Sequence, residues 1–389
     1  VAKPRTFEKP TGFRDLPPPL AAKKRLIEER VQTTFIRWGY QEVFTPTLEF
    51  YDTVGSASAI SERKMFKCID REGHTLVLRP DHTTPIARMV ASMFKDHLEP
   101  LRLFYHGSVF RSQDQEAGRS AELFQSGVEL IGESSTEADA EVIALAIESL
   151  IACKLESFQV TIGHVGLLDQ WMKERVNDSE LCLQLKDSLS KRNVVAFRQQ
   201  VEQLEIAKEK KEQLLFLLRL QPNRSYLNQL KELTKDDSVL KAIQHIDQVW
   251  SHLEDYGFGS YLSFDPSLIG SIGYYTGIYF EGYSLGQGFP VLSGGRYDQL
   301  FDQFQTSLPA TGFALKLDRL MESSPLHFAP ASKLTLIYRR SAKKEAIARA
   351  RFLREQGHIV VLVPVSDEEE MVQLDQGAEP IWIQKEGDQ

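Results

Sequence analysis

The stretch SLIGSIGYYTGIYFEGY, Ser267 to Tyr283, sets two phenol side chains, Tyr274 and Tyr275, among glycines. Glycine lets a backbone pass close beside something small and polar. No lysine or arginine occurs between Ser267 and Tyr283, and Glu281 is the only acid. The stretch therefore offers hydrogen bonds and ring faces, and no cation to steady a developing anion. A second polar pair, Gln125 and Glu129 in ELFQSGVELIG, is spaced by an even number, so on a strand both face one side. The nine histidines contain no HxH or HxxxH pair, so no metal site is expected.

Several elements must position these groups. Leu26, Ile27, Val31, Phe35 and Trp38 recur at helical spacing in a segment from Leu20 that stops at Gly39. A second helix is expected after RPDHTTP. LRLFYHGSVF (101–110) and ELFQSGVELIG (122–132) read as strands joined by a long polar loop. STEADAEVIALAIESLIACK (135–154) reads as a helix opened by a capping box of Thr136 and Asp139, and FQVTIGHVG (158–166) as a strand. From Leu167 to Tyr256 there is no glycine and one proline, Pro222, which predicts an all-helical insertion with KEKKE (208–212) on its solvated face. Gly257 to Gly312 hold eleven of the chain's 24 glycines between short aromatic runs, which predicts an antiparallel sheet close to a ligand. From Lys333 a strand–helix–strand unit follows, with PIWIQ as a further strand.

The 389 residues, 42% hydrophobic and 26% charged, suit a globular protein of two or three domains. No apolar run approaches the roughly 18 residues of a membrane span, and the polar, proline-rich start is unlike a secretory signal. Cys68, Cys153 and Cys182 share no disulfide-like or metal-like spacing; each reads as a small buried hydrophobe, and the expected compartment is the cytoplasm. A net charge of −8 argues against nonspecific nucleic-acid binding.

Read together, three separated segments resemble the class II aminoacyl-tRNA synthetases. YQEVFTPTLEF (40–50) is similar to their motif 1, with Pro46 at the implied dimer interface. VFRSQDQEAGR (109–119) resembles motif 2, with Arg111 as the arginine that grips nucleotide phosphate, and GFALKLDRLM (312–321) looks like motif 3, with Arg319 as the arginine that stacks on adenine. LRPDHT, LFQSGVE, YYTG and SGGRYD resemble segments peculiar to histidyl-tRNA synthetase. The implied fold is α+β: a class II synthetase-type antiparallel sheet flanked by helices, interrupted by the helical insertion and followed by a small α/β unit. The corresponding divisions are 1–165 and 257–325 for the synthetase-like domain, 166–256 for the insertion and 326–389 for the C-terminal unit. The resemblance implies a histidine pocket of Asp81, Thr83, Gln125, Glu129, Tyr274 and Tyr275, with Asp81 and Gln125 on the ammonium and Glu129 and Tyr275 on the imidazole.

The nucleotide side departs from the synthetase pattern. Gly270 stands where that pattern has an arginine before the tyrosine pair, Gln113 where it has a glutamate, Ala121 where it has an arginine, and Lys316 where it has a glycine. Arg111, Arg119 and Arg319 survive. Loss of one preorganised donor typically costs about 10²–10³ in rate. A pocket kept for histidine and altered for ATP implies a sensor. The chain thus resembles the synthetase-like regulatory subunits of ATP phosphoribosyltransferase, which implies no chemistry and no cofactor of its own. Further implications are a homodimer within a hetero-oligomer, a short-form catalytic subunit as partner, and histidine as effector. Neither tRNA nor membrane is expected as a partner; the roughly 57 residues from Lys333 are too few for a whole anticodon-binding domain. Two other readings are a divergent histidyl-tRNA synthetase and a synthetase-like tRNA sensor.

Overall fold

The computed structural model describes residues 6–94, 97, 99–112, 120–219, 223–268, 275–327, 333–366 and 381–383. Gln113, Arg119, Gly270 and Tyr274 lie outside them. Within residues 1–326, a compact unit, helix α1 (Pro18–Arg37) precedes strands β1 (Gln41–Glu42), β2 (Leu48–Phe50), β3 (Lys67–Ile69) and β4 (Thr75–Leu78). Then come α2 (Thr83–Met93), β5 (Leu101–Phe110), β6 (Glu122–Ile131), α3 (Thr136–Ala152) and β7 (Phe158–His164). Six helices, α4 (Val165–Arg175), α5 (Ser179–Ser190), α6 (Val194–Gln203), α7 (Lys208–Phe216), α8 (Ser225–Glu232) and α9 (Asp237–Asp255), follow in succession. The unit closes with β8 (Leu262–Phe264), β9 (Ile278–Ser284), β10 (Leu292–Arg296), β11 (Ala310–Lys316) and α10 (Leu317–Ser323).

Eight strands form one sheet in the order β1-β5-β6-β11-β10-β9-β7-β8. Its interior pairs are antiparallel, while the edge strands β1 and β8 run parallel to their neighbours. One face is packed. Phe104, Val128, Phe280, Leu292, Phe313 and Leu315 bury against α1 and α3, whose Ile27, Val31 and Phe35, Ile143 and Ile147 supply matching apolar stripes. The helical run shares that same hydrophobic core: α9 presents Val239, Ile243, Ile246, Val249, Trp250 and Leu253 at helical spacing. A three-stranded sheet β2-β4-β3 lies apart from the large one. No described helix is long and apolar enough to cross a membrane.

Residues 327–389 form the second compact unit. There β12 (Lys333–Arg339), α11 (Lys343–Glu355), β13 (Ile359–Val365) and β14 (Ile381–Ile383) make a parallel sheet in the order β13-β12-β14, with Leu336, Ala350, Leu353 and Val360 as its core.

Three local readings change. Helix α3 is capped by Ser135, whose Oγ accepts the Ala138 N–H at 3.3 Å, not by a Thr136–Asp139 box. Asp139 turns inward instead and meets Arg296 of β10 at 3.0 Å and His245 of α9 at 2.9 Å. The buried Arg296 and His245 take the carboxylate that a capping box would have turned to the helix amide. Gly277 and Gly282 make room for protein rather than ligand: a Cβ at Gly282 would lie 2.7 Å from Leu292 Cγ, and one at Gly277 would lie 3.3 Å from Arg296 Cδ. Cys153 and Cys182 are buried, but Cys68 is exposed, as are all three residues of β3, an edge strand of the small sheet.

Burial alone would raise the Asp139 carboxyl; the His245 hydrogen bond and the Arg296 charge outweigh it and hold the group below its ordinary value. Removing one member of such a buried pair typically costs about 3–5 kcal/mol. Asp139→Ala should therefore lower the unfolding free energy in urea by that order, and adding Arg296→Met should restore part of it. A loss below about 1 kcal/mol would mean that water already screens the pair.

Candidate functional site

Register decides which side chains meet. Gln125 pairs with Gly107 and Lys316, Gly127 with Tyr105 and Ala314, and Glu129 with Gly312 across β5, β6 and β11. Ser293 pairs with Ala314 and Glu281, and Gly295 with Gly312 and Tyr279. Because strand side chains alternate, all of these stand on the face opposite the packed core. Gly312 and Ala314 line a hollow there, while Gly107 makes room for Arg79 and His82, Gly127 for the Tyr105 hydroxyl and Gly295 for the Tyr275 ring. Helix α2 borders this face through Ile86, Ala87 and Val90, packed with Tyr105 and Tyr297. The hollow is a cavity of about 110 Å³, lined by Asp81, Thr83, Gln125, Glu129, Tyr275 and Lys316 among others. That is the size class of the roughly 150 Å³ cavity known to take up benzene.

At one end stands Glu129, buried. Its Oε1 accepts the Thr83 hydroxyl at 2.8 Å and its Oε2 accepts the Tyr297 hydroxyl. Burial pushes its pKa up to about 8 against the two hydrogen bonds, and the nearby Asp81 charge adds to the rise. Gly312 is required at this point, since a Cβ there would lie 2.0 Å from Glu129 Oε2. Asp81 is also buried: Oδ1 accepts the Thr84 N–H at 2.7 Å, which caps α2, and Oδ2 accepts the Ser58 hydroxyl. Tyr275 packs on Tyr279 with ring centroids 4.8 Å apart. Burial and the Glu129 charge raise the Tyr275 hydroxyl above its ordinary value.

The other end is cationic. Lys316 lines the cavity, and among the described residues its ammonium has no hydrogen bond or ion pair. Desolvation and the charge of Arg319 lower its pKa to about 7, although Glu281 acts in the opposite sense. Arg111 lines the same cavity and donates its Nε–H to the Pro80 carbonyl at 2.8 Å. Arg319 is not among the lining residues; it donates to the Pro290 carbonyl, with its guanidinium 5.0 Å from the Phe289 ring. Glu281 accepts the hydroxyls of Tyr279, at 2.6 Å, and Tyr283. Tyr283 in turn accepts Arg192 at 2.6 Å, from the turn between α5 and α6.

Asp81, Thr83, Gln125, Glu129 and Tyr275 are thus neighbours, with Arg111 and Lys316 beside them, while Arg319 is turned aside. Ala121 is buried, and its N–H reaches the Gly12 carbonyl at 2.7 Å. Pro46 lies elsewhere, exposed and flanked by the exposed Phe44, Leu48 and Phe50. The sequence reading passed over Tyr297, which holds Glu129, although SGGRYD contains it. It also passed over Tyr279 and Ser293, whose period-two spacing from Glu281 and Gly295 was the available signal. Asp70, Glu72 and His74 come together on the β3–β4 turn, away from this hollow and largely exposed.

A carboxyl whose folded pKa exceeds its unfolded value contributes stability that is complete below the unfolded value, near 4.5, and lost as pH rises to about 8. Glu129→Gln, neutral throughout, should remove this loss. The wild type should therefore fall relative to the variant by up to about 1.4 kcal/mol per pH unit across that window, measured by urea unfolding at several pH values. Parallel curves would show that Glu129 stays ionised in the folded chain.

The histidyl-tRNA synthetase family pattern matches residues 12–320. An ATP phosphoribosyltransferase regulatory subunit from Bacillus subtilis is 41% identical over 368 residues, 95% of this chain and 94% of the relative. A solved structure from Bacillus halodurans, described as an ATP phosphoribosyltransferase regulatory subunit/histidyl-tRNA synthetase, superposes with a TM-score of 0.90 at 37% identity, covering 98% of this chain and 99% of that one. Histidyl-tRNA synthetase from Nostoc shares the fold, with a TM-score of 0.78 at 18% identity over 95% of this chain and 88% of that one. The chain belongs to the ATP phosphoribosyltransferase regulatory subunits, non-catalytic members of the histidyl-tRNA synthetase family.

Proposed function

We propose that this chain assembles with a short-form ATP phosphoribosyltransferase catalytic subunit, supports its condensation of ATP with phosphoribosyl pyrophosphate, and conveys inhibition by histidine bound in the hollow over the central sheet. The observation that carries this reading is the pairing of a Glu129-centred polar end with Lys316 on the same sheet face. The first end suits an imidazole and an ammonium: Glu129 and Tyr275 on the ring, Asp81 and Gln125 on the amine. The second occupies, with a long side chain, the place where a nucleotide would need a flat backbone, and Arg319 is engaged with Phe289 and Pro290. Homodimerisation through the surface around Pro46 fits the exposed Phe44, Leu48 and Phe50 beside it. Feedback requires that histidine bind the less active assembly more tightly; a coupling of about 1–3 kcal/mol is typical.

Histidine inhibition curves on the reconstituted complex test the pocket. Losing a buried hydrogen bond to a charged group costs about 1.5–3 kcal/mol, so Glu129→Gln should raise the inhibitory concentration about tenfold or more. Tyr275→Phe, which keeps the ring, should act in the same direction and less. Unchanged curves for both would place the effector elsewhere. With ATP, histidine and magnesium the isolated chain should show no pyrophosphate exchange; exchange at a working synthetase's rate would favour the divergent-synthetase reading instead.

A further inference from the structure

Lys316 is a cation set into a ligand hollow, and among the described residues its ammonium has no ion pair or hydrogen bond. It pairs directly with Gln125 across β6 and β11, so the two side chains rise side by side, with Cβ atoms about 5 Å apart. Its charged surroundings are Arg111, Arg319 and Glu281. Glu281 is already engaged by Tyr279, Tyr283 and, at 3.7 Å, Arg192. Among the described residues, Lys316 and the two nearby arginines outnumber one already engaged carboxylate, and desolvation with the Arg319 charge lowers the Lys316 pKa. Glu129 lies four residues along the same strand from Gln125, about 13 Å at strand rise, with Asp81 as a second acid near it. The hollow therefore runs from an acidic end to a basic end.

We propose that Lys316 holds the α-carboxylate of the bound amino acid. This deepens the proposed function and rests on it: the imidazole lies at Glu129, the α-amine at Gln125, and the carboxylate at the neighbouring Lys316, all over one strip of sheet. The same side chain that takes the place of the nucleotide supplies the anion partner which the stretch before Tyr275 lacks. It makes the site select a free amino acid over one whose carboxylate is absent.

The test is calorimetric titration of the full chain, alone and in the reconstituted complex, with histidine and with histidinol, whose carboxylate is replaced by a hydroxymethyl group. Wild type should bind histidine at least tenfold more tightly than histidinol, as a charge-assisted contact implies. Lys316→Met, close in length and free of charge, should lose that preference by weakening histidine and leaving histidinol unchanged. Its thermal midpoint should hold or rise, because an unpaired charge has left a desolvated place, and Lys316→Arg should retain part of the preference. If wild type discriminates and Lys316→Met does so equally, the carboxylate is held elsewhere and this proposal falls while the histidine reading stands. If wild type binds neither compound, the histidine reading itself falls. Equal weakening of both ligands in Lys316→Met would make the residue a shaper of the hollow and also overturn its role as carboxylate partner.

Discussion

A carboxyl group buried in the middle of a β-sheet is the constraint on which this site depends. Among the described residues Glu129 has no basic partner; two hydroxyls, from Thr83 and Tyr297, satisfy it. Burying an unpaired carboxylate is expensive enough that the group shifts toward its neutral form, as the rise to about 8 reflects. Each supporting piece of the fold answers that demand. Gly312 opens the space beside Oε2, the start of α2 delivers Thr83, and the residues after β10 deliver Tyr297. Asp81 both caps α2 and sits within electrostatic reach of Glu129, so helix placement and site polarity are set by one residue.

Much of this was legible in the residues and some was not. The even spacing of Gln125 and Glu129 gave their shared face directly, because alternation along a strand is a local property. The long glycine-free run announced helices for the same reason. What failed were inferences that needed a partner in space. Thr136 and Asp139 have capping-box spacing, yet Asp139 is drawn to Arg296 of a strand more than a hundred residues away. Gly277 and Gly282 look like ligand-facing glycines, but one accommodates the Arg296 stem and the other Leu292. Tyr297 continues the period-two series of Ser293 and Gly295, but it lies past the end of β10, and only the β10–β11 register brings it over Glu129.

The helical run is not a passive insertion in energetic terms. Its α9 stripe belongs to the same core as α3, and its His245 joins the Asp139–Arg296 pair that anchors β10. Arg192 reaches from the α5–α6 turn to Tyr283, and through it to Glu281 at the edge of the hollow. That arginine adopts a positive φ of 53°, a backbone conformation a non-glycine residue holds only when its surroundings favour it. Changes on the floor of the hollow and in the helices above the other sheet face therefore share side chains.

Binding and catalysis ask different things of such a hollow. Catalysis needs donors aimed at charge that exists only in the transition state, whereas recognition needs groups matched to the ground state. In the proposed function the floor keeps Glu129, Gln125 and Asp81, which meet groups present in free histidine. The change at Lys316 falls where a transferring phosphate would be served. Ground-state complementarity is also what regulation requires, since an effector shifts an equilibrium only by the difference in its affinity for two states. A hollow with an acid poised near neutrality at one end and an unneutralised lysine at the other is electrostatically incomplete when empty. In the proposed function a zwitterion would complete both ends at once, and its binding energy would depend on holding the two ends at the right separation. That separation is set by β6 and β11, which are paired neighbours inside the eight-stranded sheet.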